Sequence, residues 1–192
     1  MKKVDRSELL SLAAYEEIRP QFRGRMIEVK SRRRVSLGAH MSLVFENHDT
    51  MLMQVQEMLR TERISDEAAI AHELETYNEL VPATGCLSAT LFIEYEQAAE
   101  RTEMLAKFAT LRTAVHLVLG ESRFTARFGT HFGEEMDRLP AVNYLQFEVG
   151  QGRVAQLRDT SVPARFEITH PDYPAKLDLP LELRVELAHD LE

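Results

Sequence analysis

Apolar residues recur at the 3.6-residue spacing of an amphipathic α-helix through much of the first half of the chain. This spacing predicts a short helical segment over residues 7–17 and a separate helix over residues 20–33, since a proline is tolerated at the first position of a helix. It also predicts a helix over residues 50–63. A fourth helix is expected to begin after an N-cap at Ser65 and to end before Pro82.

In the second half the spacing changes to two, which is the period of a half-buried β-strand. Between the strands a helix is predicted over residues 96–111. The predicted strands and extended segments lie at residues 35–45, 87–95, 114–121, 123–128, 143–149, 153–157, 162–169 and 181–187.

The segment 181–187 alternates without a break. Its apolar residues, Leu181, Leu183, Val185 and Leu187, are separated by charged ones. An alternation of this kind places all the apolar side chains on one face of a strand. We therefore predict that Leu183, Val185 and Leu187 are core residues of a sheet.

Together these elements predict an α+β fold in which N-terminal helices pack on a largely antiparallel sheet and the C-terminal half is mostly strands. No repeat, low-complexity tract or linker separates the two halves of the 192-residue chain. The expected organisation is a single domain over residues 1–192.

The composition is that of an ordinary globular protein, with 44% hydrophobic and 28% charged residues. The longest apolar runs, such as residues 114–119, are shorter than the roughly 18 residues that span a membrane. Charged residues interrupt the N-terminal segment too early for a signal peptide. The lone Cys86 cannot form a disulfide within the chain. A cytoplasmic protein is expected.

Charge is distributed unevenly along the chain, whose formal net charge is −8. Residues 1–34 carry a net charge of +5, and residues 35–192 carry −13. A net negative protein repels nucleic acid at long range, which argues against an extended nucleic-acid surface. A local binding site for an anion remains compatible with the basic segment.

The positive charges of the first segment concentrate between residues 15 and 37. On a helix, Arg23, Arg32, Arg33 and Arg34 lie along the borders of the apolar stripe. In one interpretation these arginines pair with carboxylates of the same chain. In another they bind an acidic protein partner or a second copy of the chain, and in a third they bind a small anion or a nucleotide, because a guanidinium group binds carboxylate and phosphate in a bidentate manner.

Four segments carry a family resemblance: YEEIRPQFR at 15–23, RRRVSLG at 32–38, FEN at 45–47 and QEMLR at 56–60. In these segments the chain resembles a bacterial family of uncharacterised proteins of about this length. The resemblance implies no established reaction. Members of that family are encoded beside rubrerythrin-like and iron–sulfur oxidoreductase proteins, so the resemblance implies an accessory role in redox or peroxide defence, with such proteins as partners.

Polar residues inside these segments are expected to form one network, because several of them follow each other at helical spacing. Two interpretations stay open: a structural tie between a strand end and a helix, or the lining of a ligand pocket. The residues are Glu46, Asn47, Gln56, Glu57 and Arg60.

A metal site is the remaining alternative. His131 and Glu135 lie in a glycine-bracketed segment, and His116 is within reach in the predicted sheet. Glycines permit close approach to a ligand, but they equally permit a plain turn followed by a short helix. No cofactor is predicted, and no catalytic motif is present. The favoured hypothesis is a non-catalytic accessory or interaction protein.

Overall fold

The computed structural model describes residues 1–129 and 137–192. The helices are α1 (Leu12–Arg33), α2 (His48–Thr61), α3 (Glu67–Asn78), α4 (Ala98–Lys107), α5 (Val154–Arg158) and α6 (Leu181–Leu191). The strands are β1 (Arg34–Ser36), β2 (Met41–Glu46), β3 (Cys86–Ile93), β4 (Val115–Leu119), β5 (Ser122–Thr125), β6 (Arg127–Phe128), β7 (Val142–Glu148), β8 (Ala164–His170) and β9 (Tyr173–Asp178). The predicted α+β class is confirmed.

The strands form two antiparallel sheets. The first has the order β1-β2-β3-β7-β6, and the second has the order β5-β4-β8-β9. Aromatic side chains join the two: the ring of Phe45 on β2 stacks on Phe166 of β8 with centroids 5.2 Å apart, and Phe147 of β7 lies 5.7 Å from the same ring. The larger hydrophobic core therefore lies where one face of each sheet meets the other.

A second, smaller core lies between helices α2 and α3. It contains Val55 and Leu59 from α2 together with Ile70 and Leu74 from α3. Tyr144, on strand β7 of the first sheet, packs against this cluster. The two helices therefore cover the face of the first sheet that points away from the larger core.

Helix α1 is continuous, so the predicted break at Pro20 is wrong. Ser11 caps the helix by accepting a hydrogen bond from the backbone N–H of Ala14, and Pro20 lies in its interior. A proline there removes one backbone hydrogen bond. Contacts with α2 anchor the part of the helix that precedes the proline, because Tyr15 and Arg19 both bind the carboxylate of Glu57.

The predicted strand at 35–45 is a hairpin of β1 and β2. Gly38 turns the chain between them with φ +71°, a backbone conformation that favours glycine. The hydroxyl of Tyr173 lies against this turn, donates to the carbonyl of Leu37 at 2.7 Å and accepts from the backbone N–H of His40 at 2.8 Å. Tyr173 belongs to β9, a strand that the turn-rich sequence around it did not predict.

The C-terminal segment is helix α6, so the predicted strand at 181–187 is wrong. Leu183 and Leu187 are buried one helical turn apart, whereas Val185 between them is 55% exposed. Residues four apart lie on the same face of a helix and also on the same face of a strand. Over so short a segment, Leu183 and Leu187 therefore do not distinguish a helix from a strand. The predicted strand at 153–157 is likewise helical, as α5.

Replacing Val185 with aspartate should change the free energy of unfolding by less than about 0.5 kcal/mol, because its side chain lies in solvent. Leu187→Ala in the same helix should lower that free energy by about 2–5 kcal/mol, because Leu187 is fully buried. Urea unfolding of both variants checks the prediction. A Val185→Asp variant as unstable as Leu187→Ala would contradict the helix.

Within the described ranges 1–129 and 137–192, no helix combines the length and the hydropathy needed to cross a membrane.

Candidate functional site

The basic end of helix α1 holds one buried arginine. Arg33 is fully buried, and its guanidinium donates to the carboxylate of Asp190, to Glu186 Oε2 at 2.9 Å and to the carbonyl of Phe45 at 2.9 Å. These contacts join α1 to α6 and to strand β2. Arg33 therefore belongs to the fold, and its burial excludes it from the partner surface that the sequence predicted.

Asp190 is the buried partner of this arginine. Burial raises the pKa of the Asp190 carboxyl, although the neighbouring Arg33 acts in the opposite direction. Loss of hydration therefore outweighs the attraction of the guanidinium, as is common for ion pairs in protein interiors.

The two neighbours of Arg33 lie at the surface and are paired there. The guanidinium of Arg32 is 3.5 Å from Glu186. Arg34 donates to Glu94 at 3.0 Å and to Ser42 at 2.8 Å, and its guanidinium lies 5.3 Å from the centroid of the Phe92 ring. Both side chains are about half exposed, at 50% and 46%. Each is already held by a carboxylate of its own chain.

Arginines in the middle of α1 are less engaged. Within residues 1–129 and 137–192, Arg23 forms no ion pair or hydrogen bond, and Arg25 has only a 3.9 Å contact with Asp49 while its side chain is 72% exposed. Ile27, one turn after Arg23, is 65% exposed. At helical spacing Arg23 and Arg25 lie on the two borders of the exposed face of α1, with Ile27 between them. We call Arg23, Arg25 and Ile27 the α1 surface.

The polar residues predicted to form one network instead form separate ties. Asn47 caps α2 by accepting from the backbone N–H of Thr50 at 2.9 Å. Gln56 binds both backbone groups of Leu10, at 2.9 and 3.1 Å. Arg60 pairs with Glu16 on α1. The contacts of Gln56 and Arg60 hold the N-terminal segment on α2, and none of these contacts involves Glu46.

Glu57 accepts three hydrogen bonds from α1. Its carboxylate accepts from the hydroxyl of Tyr15 at 2.6 Å and from Arg19 at 2.8 and 3.0 Å. The hydrogen bonds from Arg19 lower the pKa of Glu57. Burial, together with the hydrogen bond to Glu57, raises the pKa of Tyr15. This cluster is a structural joint between α1 and α2.

Glu46 lies elsewhere, on a polar row that crosses the first sheet. In the strand register it is opposite Ser88 on β3, which in turn is opposite Gln146 on β7. Thr90 and Tyr144 occupy the next row on the same face. Glu46, Ser88 and Thr90 are each at most 4% exposed. A half-buried strand, as predicted here, would leave Ser88 and Thr90 on its solvent side, but α2 and α3 cover them.

A cavity of about 190 Å³ lies against this polar row, between the sheet and the helices. The hydroxyl of Thr90 donates to Glu46 Oε1 at 2.5 Å. Glu46 Oε2 and Ser88 Oγ are buried without a hydrogen-bond partner among the described residues. The cavity is lined by Lys30, Glu46, Met51, Gln54, Tyr77, Leu80, Thr90, Phe92, Val142 and Tyr144. We call it the Glu46 cavity.

Two tyrosines face the Glu46 cavity, and both ionise less readily than a tyrosine in water. Burial, with smaller contributions from Tyr77 and Glu46, raises the pKa of Tyr144 to about 12. Burial also raises the pKa of Tyr77. Both phenols are therefore neutral near pH 7, which leaves Glu46 as the acidic group of the cavity.

The predicted metal site is described only in part, because His131 and Glu135 lie outside the described residues. His116 is on β4, where its ring nitrogens contact the hydroxyls of Thr125 at 3.0 Å and Thr169 at 3.2 Å. Burial lowers the pKa of His116. Both ring nitrogens have partners, and the described residues contain no group of three or more side chains able to hold a metal.

Comparison with known proteins supports the family resemblance. The model of a family described as protein of unknown function, DUF3501, matches residues 3–191. The chain belongs to the DUF3501 family. This membership confirms the resemblance seen in the sequence. No curated protein matches this DUF3501 chain.

A solved structure has the same fold as this DUF3501 protein. It is the crystal structure of a novel protein of unknown function from Burkholderia pseudomallei K96243, 34% identical to this chain. The similarity covers 100% of both chains with a TM-score of 0.92. Neither description names a reaction, so the function must be argued from the residues.

Proposed function

We propose that this DUF3501 protein is a non-catalytic accessory protein that docks an acidic partner protein on the α1 surface. The observation that carries the proposal is the exposure of α1. The helix has 22 residues, of which only Tyr15, Met26 and Arg33 are buried. A helix that buries so few of its side chains in the protein core leaves a long surface available to another protein.

The charges of the α1 surface support an acidic partner. Arg23 has no carboxylate partner among the described residues, and Arg25 has only a distant one, whereas Arg33 is committed to the fold. Arginine beside exposed apolar residues is typical of protein interfaces, since its guanidinium pairs with carboxylates while its stem packs on apolar surface. Ile27 supplies that apolar centre.

Small-anion or nucleotide binding has less support. Such a site needs several guanidinium groups that converge on one point. Arg32 and Arg34 are each paired with a carboxylate, and Arg33 is buried against Asp190. Arg23 is therefore the one predicted anion-binding arginine that the described residues leave unpaired.

The family resemblance suggests which proteins to test as the acidic partner. They are the rubrerythrin-like and iron–sulfur oxidoreductase proteins encoded beside family members, which would give this chain an accessory role in redox or peroxide defence. The test below uses these two classes as candidates and includes a second copy of the chain as an alternative.

The double variant Arg23→Gln/Arg25→Gln should bind the partner at least about tenfold more weakly, since charged interface contacts contribute on the order of 1.4 kcal/mol or more. Its melting temperature should stay within a degree or two of wild type, because exposed ion pairs contribute only about 0–1 kcal/mol. Biolayer interferometry at two salt concentrations measures the affinity and its salt dependence.

A control variant with the same loss of charge is Arg63→Gln/Arg158→Gln, whose two arginines are exposed and lie outside α1. It should bind like wild type. If both double variants lose affinity equally, the attraction is general and the α1 surface is not the site. If the wild-type chain forms dimers that Arg23→Gln/Arg25→Gln separates, the partner is a second copy, and docking of another protein is contradicted.

A further inference from the structure

The carboxylate of Glu46 lies against the cavity, and only one of its two oxygens has a hydrogen-bond partner among the described residues. Its side chain is 4% exposed, Oε1 accepts from Thr90, and Oε2 has no hydrogen-bond partner within residues 1–129 and 137–192. Buried polar atoms in folded proteins almost always have a partner, and an exception calls for an explanation such as a ligand. An ionised carboxylate is especially unfavourable without one.

The walls of the Glu46 cavity determine what kind of ligand fits. Met51, Leu80 and Val142 are apolar, and the rings of Tyr77 and Tyr144 also line the space. Aromatic rings attract cations that approach their faces. A volume of about 190 Å³ is close to that of an engineered cavity of about 150 Å³ that holds benzene. The ligand must therefore be small, partly apolar and able to donate to a carboxylate.

We infer that the Glu46 cavity binds a small organic cation whose primary ammonium group donates a hydrogen bond to Glu46 Oε2 and whose apolar body packs between Met51, Leu80 and the two tyrosines. This site is separate from partner docking on the α1 surface. The ammonium group supplies the donor and the positive charge that Oε2 lacks.

Lys30 is the charged neighbour that limits the choice of ligand. It lines the same cavity, yet it forms no ion pair with Glu46 or with any other described residue. A positive charge at this position opposes a cationic ligand by like-charge repulsion. Removing the Lys30 charge should therefore strengthen the binding of a cation, which is the opposite of its effect on an anion.

Isothermal titration with benzylamine and with the neutral benzyl alcohol tests the inference on the full chain. Benzylamine should bind with a stoichiometry of one and at least about tenfold more tightly than benzyl alcohol, because a hydrogen bond between two charged groups is stronger than one to a neutral group. Glu46→Gln should abolish that difference. Glu96→Gln, which changes an exposed glutamate outside the cavity, should bind both probes like wild type.

A melting measurement and a second variant complete the test. Without probe, Glu46→Gln should melt above wild type, because glutamine has nearly the same shape and an amide costs less to bury without a partner than a carboxylate does. Lys30→Met should remain folded and bind benzylamine several-fold more tightly than wild type. This second variant keeps the inference testable if Glu46→Gln fails to fold.

Two results would overturn the inference. Equal binding of benzyl alcohol and benzylamine by wild type means that the cavity selects only for apolar shape. A Lys30→Met variant that melts below wild type and binds benzylamine no better means that Lys30 itself neutralises Glu46 in solution.

Discussion

Replacing Arg33 with methionine should lower the free energy of unfolding by about 3–5 kcal/mol, since removing one member of a buried ion pair leaves the other charge unpaired. Arg33 is fully buried, and Asp190 is 3% exposed. Without the guanidinium, Asp190 loses its charge partner and the carbonyl of Phe45 loses a donor. Such a loss is a large share of the roughly 5–15 kcal/mol that stabilises a typical domain.

Arg32→Met is the matched control, because Arg32 is the adjacent residue and pairs with the same Glu186 at the surface. That substitution should cost no more than about 1 kcal/mol. Guanidinium unfolding of both variants measures the difference. The double variant Arg33→Met/Asp190→Asn should recover part of the loss, because it removes the unpaired carboxylate. Equal effects of Arg32→Met and Arg33→Met would contradict the buried pair.

The instability of Arg33→Met should also depend on pH. The pKa of Asp190 is already raised by burial, and it should rise further without the guanidinium. A carboxyl whose folded pKa exceeds its unfolded pKa binds a proton more readily in the folded state, so the variant loses stability as pH rises between those two values. The deficit relative to wild type should therefore shrink as the pH is lowered towards the unfolded pKa of about 4.

Charged residues in the interior explain why the C-terminal segment was mispredicted. In 181–187 the alternation places Arg184 and Glu186 together on a solvent face. In the structure Arg184 is buried, and Glu186 accepts a hydrogen bond from Arg33, which is 153 residues away. A periodicity argument treats every charged residue as exposed, and partners of this kind appear only when distant segments meet.

The elements with long apolar patterns were easier to predict. The helix expected at 50–63 is α2, and the strands expected at 87–95 and 143–149 are β3 and β7, with ends shifted by a few residues. Local spacing is enough for such elements, because one apolar face decides both their type and their orientation. The single-domain organisation stays a prediction.

Neither the α1 surface nor the Glu46 cavity could be predicted from the local spacing of residues alone. Arg32, Arg33 and Arg34 are consecutive, and only the packing of α6 against α1 decides that Arg33 is the buried one. Ser88 and Thr90 alternate with apolar neighbours like a solvent-facing row. The apolar stripes of α2 and α3 were the available signal, since those stripes need a surface to cover, and that surface is the polar face of the sheet.

Arg184→Met should destabilise the protein by about 2–4 kcal/mol, because Arg184 donates to four backbone carbonyls at once. Its guanidinium donates to Leu157 at 2.8 Å, Gln156 at 2.8 Å, Asp159 at 2.5 Å and Val162 at 3.0 Å. The last carbonyls of a helix have no partner within it, and here an arginine from α6 supplies the donors for the end of α5. Each buried carbonyl left without a donor costs about 1–3 kcal/mol. The carbonyl of Leu157 is buried, whereas that of Asp159 also accepts from the backbone N–H of Val162.

Arg158→Met is the control for this prediction, since Arg158 lies on α5 and, among the residues that the structure describes, forms only a surface ion pair with Glu192, with both side chains about half exposed. It should cost at most about 1 kcal/mol. Arg184→Lys should fall between the two, because an ammonium group has three donors and no planar fork to reach all four carbonyls. Hydrogen exchange should show that the amides of residues 154–162 lose protection in Arg184→Met before those of the sheets. If Arg184→Met unfolds in urea with the midpoint of Arg158→Met, water replaces the guanidinium without penalty, and the end of α5 does not depend on α6.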